Sequence, residues 1–157
     1  ALWSLMLEEG ATLKVGLVWR GGPLPRNRAC PFKHFGALAD IPGVLFYSLQ
    51  LGEAPDLEVL PAVDLAPQIQ DFGDSAAILA GLDLLITVDT AAAHLAGGMG
   101  MPVWLLLPYS CDWRWFAERD DSPWYPAMRI FRQERPCDWP GVMRRIHAAL
   151  RERLNCQ

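Results

Sequence analysis

Short apolar runs of five or six residues, each followed by a helix-like segment, leave a chain of this length few ways to fold. Residues 14–19 (KVGLVW), 44–49 (VLFYSL), 84–88 (LLITV) and 103–107 (VWLLL) are nearly continuous in apolar side chains. Strands of that kind are buried on both faces, as in parallel sheets covered by helices. Shorter runs at 57–60 and 128–132 supply a third and a sixth strand. Helical segments fit between them. One lies around 32–40, one runs from a cap at Asp74 or Ser75 to about 82, and one spans 90–99. The last covers 141–154, where Val142, Ile146, Leu150 and Leu154 share a side. Residues 1–10 read as a short amphipathic helix closed by Gly10. This alternation predicts a single α/β domain with a Rossmann-like, doubly wound parallel sheet of about six strands, the chain reversing between the first and the fourth. Residues 1–13 are then a linker or interdomain helix, and 14–157 the domain.

Composition narrows function by exclusion. Of 157 residues, 52% are hydrophobic and 20% charged, enough to build a core and too apolar for a disordered chain. No apolar run reaches the roughly 18 residues a membrane span requires. A net charge of -4 without a basic stripe argues against nucleic acid as a partner. Cys30, Cys111, Cys137 and Cys156 are far apart and form no close ligand pair. His34, His94 and His147 fall in separate segments, so no metal site is expected. Four reduced thiols in a soluble cytoplasmic protein are the expectation.

Ligands of doubly wound sheets bind beyond the carboxyl ends of the strands, where the chain reverses. Charge points to the same edge. Arg20, Arg26, Arg28 and Lys33 stand in the loop after the first strand with no acid among them, whereas residues 34–100 carry nine Asp or Glu and no Lys or Arg. Arginine forks suit phosphate, and Gly21 and Gly22 let the backbone approach a ligand. A solvated loop kept soluble by its charges is the plainer alternative. Across the reversal, Asp89-Thr90-Ala91-Ala92-Ala93-His94 opens a helix whose first amides lack intrahelical partners and favour an anion. Asp89 is equally readable as the cap of that helix, and His94 as a hydrogen-bonded core residue.

Two familiar nucleotide signatures are missing. The glycines of Gly97-Gly98-Met99-Gly100 fall at a helix end, so they are no dinucleotide fingerprint, and no phosphate-binding Gly-Lys-Ser/Thr loop occurs. Residues 109–126 crowd Trp113, Trp115, Trp124 and Tyr125 among charges and prolines. Trp113 and Trp115 are candidates for stacking on a base or sugar ring, with ordinary packing the alternative for most of the rings.

The chain resembles a known family in several places. Residues 14–19 with their Gly-Pro basic loop, Phe46-Tyr47-Ser48-Leu49-Gln50, and above all 83–108 (DLLITVDTAAAHLAGGMGMPVWLLLP) carry the resemblance, together with Asp112-Trp113-Arg114-Trp115 and Asp121-Ser122-Pro123-Trp124-Tyr125-Pro126. It is similar to the carboxyl-terminal domain of bacterial heptosyltransferase-like glycosyltransferases that commonly accompany tetratricopeptide repeats, and more distantly to peptide O-GlcNAc transferases. The resemblance implies half of a two-domain GT-B architecture that binds a nucleotide-sugar donor without a metal or further cofactor. The loop with Arg20, Gly21, Gly22, Arg26 and Arg28, together with Thr90, Ala91 and Ala92, would hold the diphosphate. Ser48, Leu49 and Gln50 would line the nucleoside pocket, with Asp89 and His94 near the phosphates or sugar. The catalytic base is expected from an N-terminal acceptor or repeat domain, which is the implied protein partner. A non-catalytic module that kept this fold for protein contacts is the competing expectation.

Overall fold

The computed structural model describes residues 13–23 and 28–156. The helix expected over residues 1–10 and the side chain of Arg26 lie outside the described residues. Six strands form one sheet: β1 (Leu13–Val18), β2 (Val44–Ser48), β3 (Val63–Asp64), β4 (Leu84–Val88), β5 (Val103–Leu107) and β6 (Met128–Arg132). Every pairing is parallel and the order is β3-β2-β1-β4-β5-β6, so the chain winds one way from β1 and the other way from β4. The expected sheet is the observed one.

Alternate residues of the inner strands enter two separate cores. Leu84, Ile86, Val88, Trp104 and Leu106 face one side, where a 3-10 helix (Phe32–Leu38) and the C-terminal helix pack. Leu85, Val103, Leu105 and Leu107 face the other, against Ile78, Leu79, Ala93 and Ala96. Those last four belong to the helices α1 (Phe72–Ala80) and α2 (Ala91–Gly98), and the C-terminal helix is α3 (Trp139–Asn155). Burial on both faces explains why the strands read as unbroken apolar runs. Among the described residues, no helix is long and apolar enough to cross a membrane.

Three local expectations fail for identifiable reasons. Residues 57–60 are a turn, because the Asp56 carboxylate accepts from the Glu58 amide at 3.0 Å and its carbonyl accepts from Val59 and Leu60. An aspartate that organises its own following backbone competes with a strand ladder; the third strand forms later, at Val63–Asp64. The segment after Pro31 is a 3-10 helix, and its buried Phe32, Phe35 and Leu38 recur every third residue, the period of that helix. Helix α1 starts earlier than expected. Its cap is Asp71, whose Oδ1 accepts from the Asp74 amide at 3.0 Å, while Asp74 Oδ2 accepts from the Gln70 amide at 2.8 Å. Asp74 thus reaches back past the cap, much as the partner residue of a capping box does.

That reciprocal cap is testable. Asp71→Ala should lower the unfolding free energy by about 1 kcal/mol in a urea titration, the usual worth of an N-cap. Ser75→Ala, which removes the hydroxyl first read as a cap, should cost less than half as much.

Candidate functional site

Because the chain leaves β1 and β4 in opposite directions, their carboxyl ends border a crevice. A cleft of about 380 Å³ occupies it. One wall is the loop after β1, with Arg20, Gly21, Gly22 and Arg28; the opposite wall is the turn into α2, with Asp89, Thr90, Ala91, Ala92 and His94. Leu49, Gln50 and Leu51 follow β2, and Phe72, Ser75 and Leu79 of α1 complete the lining.

The loop after β1 is shaped by its neighbours. Gln50 Oε1 accepts from the amides of Trp19 at 3.0 Å and Arg20 at 2.8 Å, and its side-chain amide donates to the Leu51 carbonyl at 3.0 Å. Gln50 therefore brackets the loop from below while lining the cleft. Gly21 lies where only hydrogen fits well: a Cβ there would stand 3.2 Å from Arg28 Nε, 3.2 Å from the Asp89 carbonyl oxygen and 3.3 Å from Thr90 Cγ2. The two walls consequently meet at Gly21, with the Arg28 guanidinium beside them. Arg20 is largely exposed and pairs with Glu53 at 2.9 Å, so the acid-poor loop draws its counter-charge from the segment after β2. Ser48 is fully buried and receives the Gln50 amide at 3.3 Å; it supports the cleft and does not line it.

Thr90, not Asp89, is the N-cap of α2, and its hydroxyl makes no cap bond; it lies 3.0 Å from the Thr87 hydroxyl. The first-turn amides of Ala91 and Ala92 therefore keep their donor capacity at the cleft. Asp89 has a different role. It is only 9% exposed, and its Oδ2 accepts from the Trp115 indole N–H at 3.1 Å. Its Oδ1 faces His94 Nε2 at 3.5 Å, while His94 Nδ1 is 2.8 Å from the Tyr125 hydroxyl.

These contacts correct the aromatic expectation. Trp115 has no exposed surface: it stacks on His94 with ring centres 5.5 Å apart, so no ligand ring can use its face. Trp113 is 77% exposed but lines a different cavity, beside Tyr109 and Phe116. The aromatic ring that does line the cleft is Phe72, 67% exposed at the first position of α1. Sequence reasoning passed over it because the cap was placed three residues too late. Arg114 was also missed. Its Nη1 lies 3.5 Å from His94 Nε2, and its Nε donates to Asp112 at 3.0 Å. An arginine between two tryptophans was the available signal. Cys30 is no nucleophile, since burial pushes its thiol far above the usual range. Among the described residues, no three His, Cys, Asp or Glu side chains gather to hold a metal.

Comparison with known proteins gives the fold a context. The chain superposes on a glycosyl transferase family 9 structure from Veillonella parvula with a TM-score of 0.67 and 17% identity, over 100% of this chain and 53% of that one. This is a glycosyltransferase-like fold. The ADP-heptose LPS heptosyltransferase II of E. coli agrees, with a TM-score of 0.64 at 16% identity over 95% of this chain and 50% of that one. In sequence the chain is 33% identical over 165 aligned residues to Protein FlbA of Caulobacter vibrioides, covering 97% of this chain and 27% of that protein. It thus spans about half the length of the solved structures and about a quarter of FlbA. No family model matches the chain.

The buried carboxylate supplies a stability test. Trp115→Phe removes the indole N–H that reaches Asp89 Oδ2 and also shrinks a fully buried ring, so it should cost at least about 1–3 kcal/mol, the penalty for an unanswered buried acceptor. Chemical denaturation reads it directly; an unchanged midpoint would mean the indole is not what holds the carboxylate.

Proposed function

We propose that this chain is the donor-binding domain of a glycosyltransferase that uses a nucleoside diphosphate sugar. One observation carries the reading: a single cleft at the reversal of the sheet is lined both by anion-favouring groups and by apolar side chains. The former are the α2 start, Arg28 and Arg114, and the latter Leu49, Leu79 and Phe72. A diphosphate suits the former and a nucleoside the latter, with Phe72 as the ring that stacks on the base. The glycosyltransferase-like fold supports the same assignment.

In this reading the chain's own donors stabilise the departing diphosphate. Amides fixed at a helix start and arginines held by their neighbours need little rearrangement as negative charge develops, which is where such donors contribute most. No bound metal is required for that role. The acceptor and the catalytic base come from a further, N-terminal or repeat domain. Four free cysteines suit a reducing compartment, and we assign the protein to the cytoplasm.

Calorimetric titration with UDP, ADP and GDP tests the reading. One of the three should bind saturably, and Arg28→Ala should weaken it at least tenfold, about 1.4 kcal/mol. Phe72→Ala should weaken the nucleoside diphosphate and leave inorganic pyrophosphate unaffected. Absence of binding by all three, or an Arg28→Ala effect below twofold, would sink the assignment and favour a fold kept for protein contacts.

A further inference from the structure

The Tyr125 hydroxyl is 2.8 Å from Nδ1 of His94, and it arrives there by an unusual route. The tyrosine stands 31 residues later in the chain, beyond β5 and in front of β6. Its ring rests on Gly97, where a Cβ would come within 2.6–3.0 Å of three ring carbons. Gly97 follows His94 by three residues on α2, so both lie on one helix face beneath the phenol. The imidazole is flanked on its other side by Trp115, with ring centres 5.5 Å apart at 24°, against 5.7 Å and 62° for Tyr125. Its plane is therefore fixed by two aromatic neighbours, and one nitrogen is claimed by a hydroxyl.

Two tautomers compete. If Nδ1 carried the proton, the phenol would accept it and the Nε2 lone pair would point at the Asp89 carboxylate 3.5 Å away. If Nε2 carries the proton, an N–H faces that carboxylate and Nδ1 accepts from the phenol. Asp89 is nearly out of water, so the repulsive arrangement is penalised little screened by solvent. Arg114 Nη1 also faces Nε2 at 3.5 Å, but that arginine is partly exposed and anchored through Nε on Asp112. A guanidinium can only donate, so Arg114 favours a bare Nε2 while the buried carboxylate favours an N–H there, and the two neighbours pull the tautomer in opposite directions.

We propose that Tyr125 is a positioning residue: its O–H donates to Nδ1 of His94 and holds the imidazole with an N–H at Nε2, directed to Asp89 and the cleft. Resting on the donor-site reading, this sets which hydrogen-bonding edge His94, a residue that lines the cleft, presents beside the helix amides. Trp115, Asp89, His94 and Tyr125 then form one chain of polar contacts that ties the segment before β6 to the start of α2.

Nitrogen-15 NMR of the histidine rings tests this in the ligand-free chain at about pH 8, above the ordinary imidazole pKa. The His94 signals are assigned by their loss in His94→Gln. Nδ1 should be the unprotonated nitrogen and should show the shielding that an accepted hydrogen bond causes. That shielding should vanish in Tyr125→Phe and in Gly97→Ala, the first removing the hydroxyl and the second displacing the ring. A protonated Nδ1 in the native chain, or an Nδ1 resonance unmoved by Tyr125→Phe, overturns the proposal. With UDP, ADP and GDP as probes, the diphosphate that binds should shift the Nε2–H signal, and Tyr125→Phe should raise its Kd about 3- to 10-fold, the span of one net hydrogen bond. Failure of all three diphosphates to bind removes the donor-site reading and leaves the tautomer result to be judged by itself.

Discussion

A carboxylate taken almost out of water has to be answered, and the answer given to Asp89 organises this edge of the molecule. The residue directly follows β4, at the point where the sheet reverses, so the end of the strand sets its position. Its nearest buried donor is the indole of Trp115, 26 residues further on. Bringing that indole home folds the segment after β5 back across the end of β4, and the rest of the segment follows. Asp112 caps the short 3-10 turn at Trp113–Trp115, Trp124 donates to the Arg114 carbonyl, and Tyr125 meets His94. Arg132 of β6 completes the arrangement by donating to the carbonyls of residues 115, 116, 117 and 119. Phe116, with φ of 57° in the left-handed region, is held inside that clamp.

The charge pattern acquires a second meaning in the fold. In sequence, basic residues cluster after β1 while the following 67 positions, 34 to 100, carry only acids. In space, the two meet where Arg20 pairs with Glu53 at 2.9 Å. Part of the segregation is thus ordinary complementarity between neighbouring strand ends. Arg28 stands beside Gly21, on the same cleft as the start of α2.

Strands and their directions were legible because burial on two faces leaves an unmistakable apolar run, and β4, β5 and β6 begin and end where the sequence placed them. The reversal point followed from strand order, and with it the cleft containing Arg20, Gly21, Gly22, Leu49, Gln50 and residues 89–92. Local backbone chemistry was harder to see. Asp56 turns its own chain and Asp71 caps α1, and neither event has a hydrophobic period to announce it. Hardest were the side-chain pairs that join distant segments. Composition marked Trp115 as aromatic and Asp89 as acidic, but only the folded backbone makes each the partner of the other. The same gap hid Phe72 and Arg114, whose relevance depends on which way a helix start and a loop face.

The shape of the site bears on the choice between a ligand-binding domain and a surface for protein contact. A protein-contact surface gains from breadth and rarely needs backbone amides aimed into a recess. Here glycine at position 21 brings two loops within van der Waals contact, and a helix start faces the recess they bound. Small side chains at Ala91 and Ala92 keep that helix start open, while Gln50 spends three of its hydrogen-bonding opportunities on rigidity. Such preorganisation lowers the cost of ordering a small anionic ligand and adds nothing to a broad protein interface. That concentration of fixed donors in one recess is the feature on which the proposed donor-site reading draws.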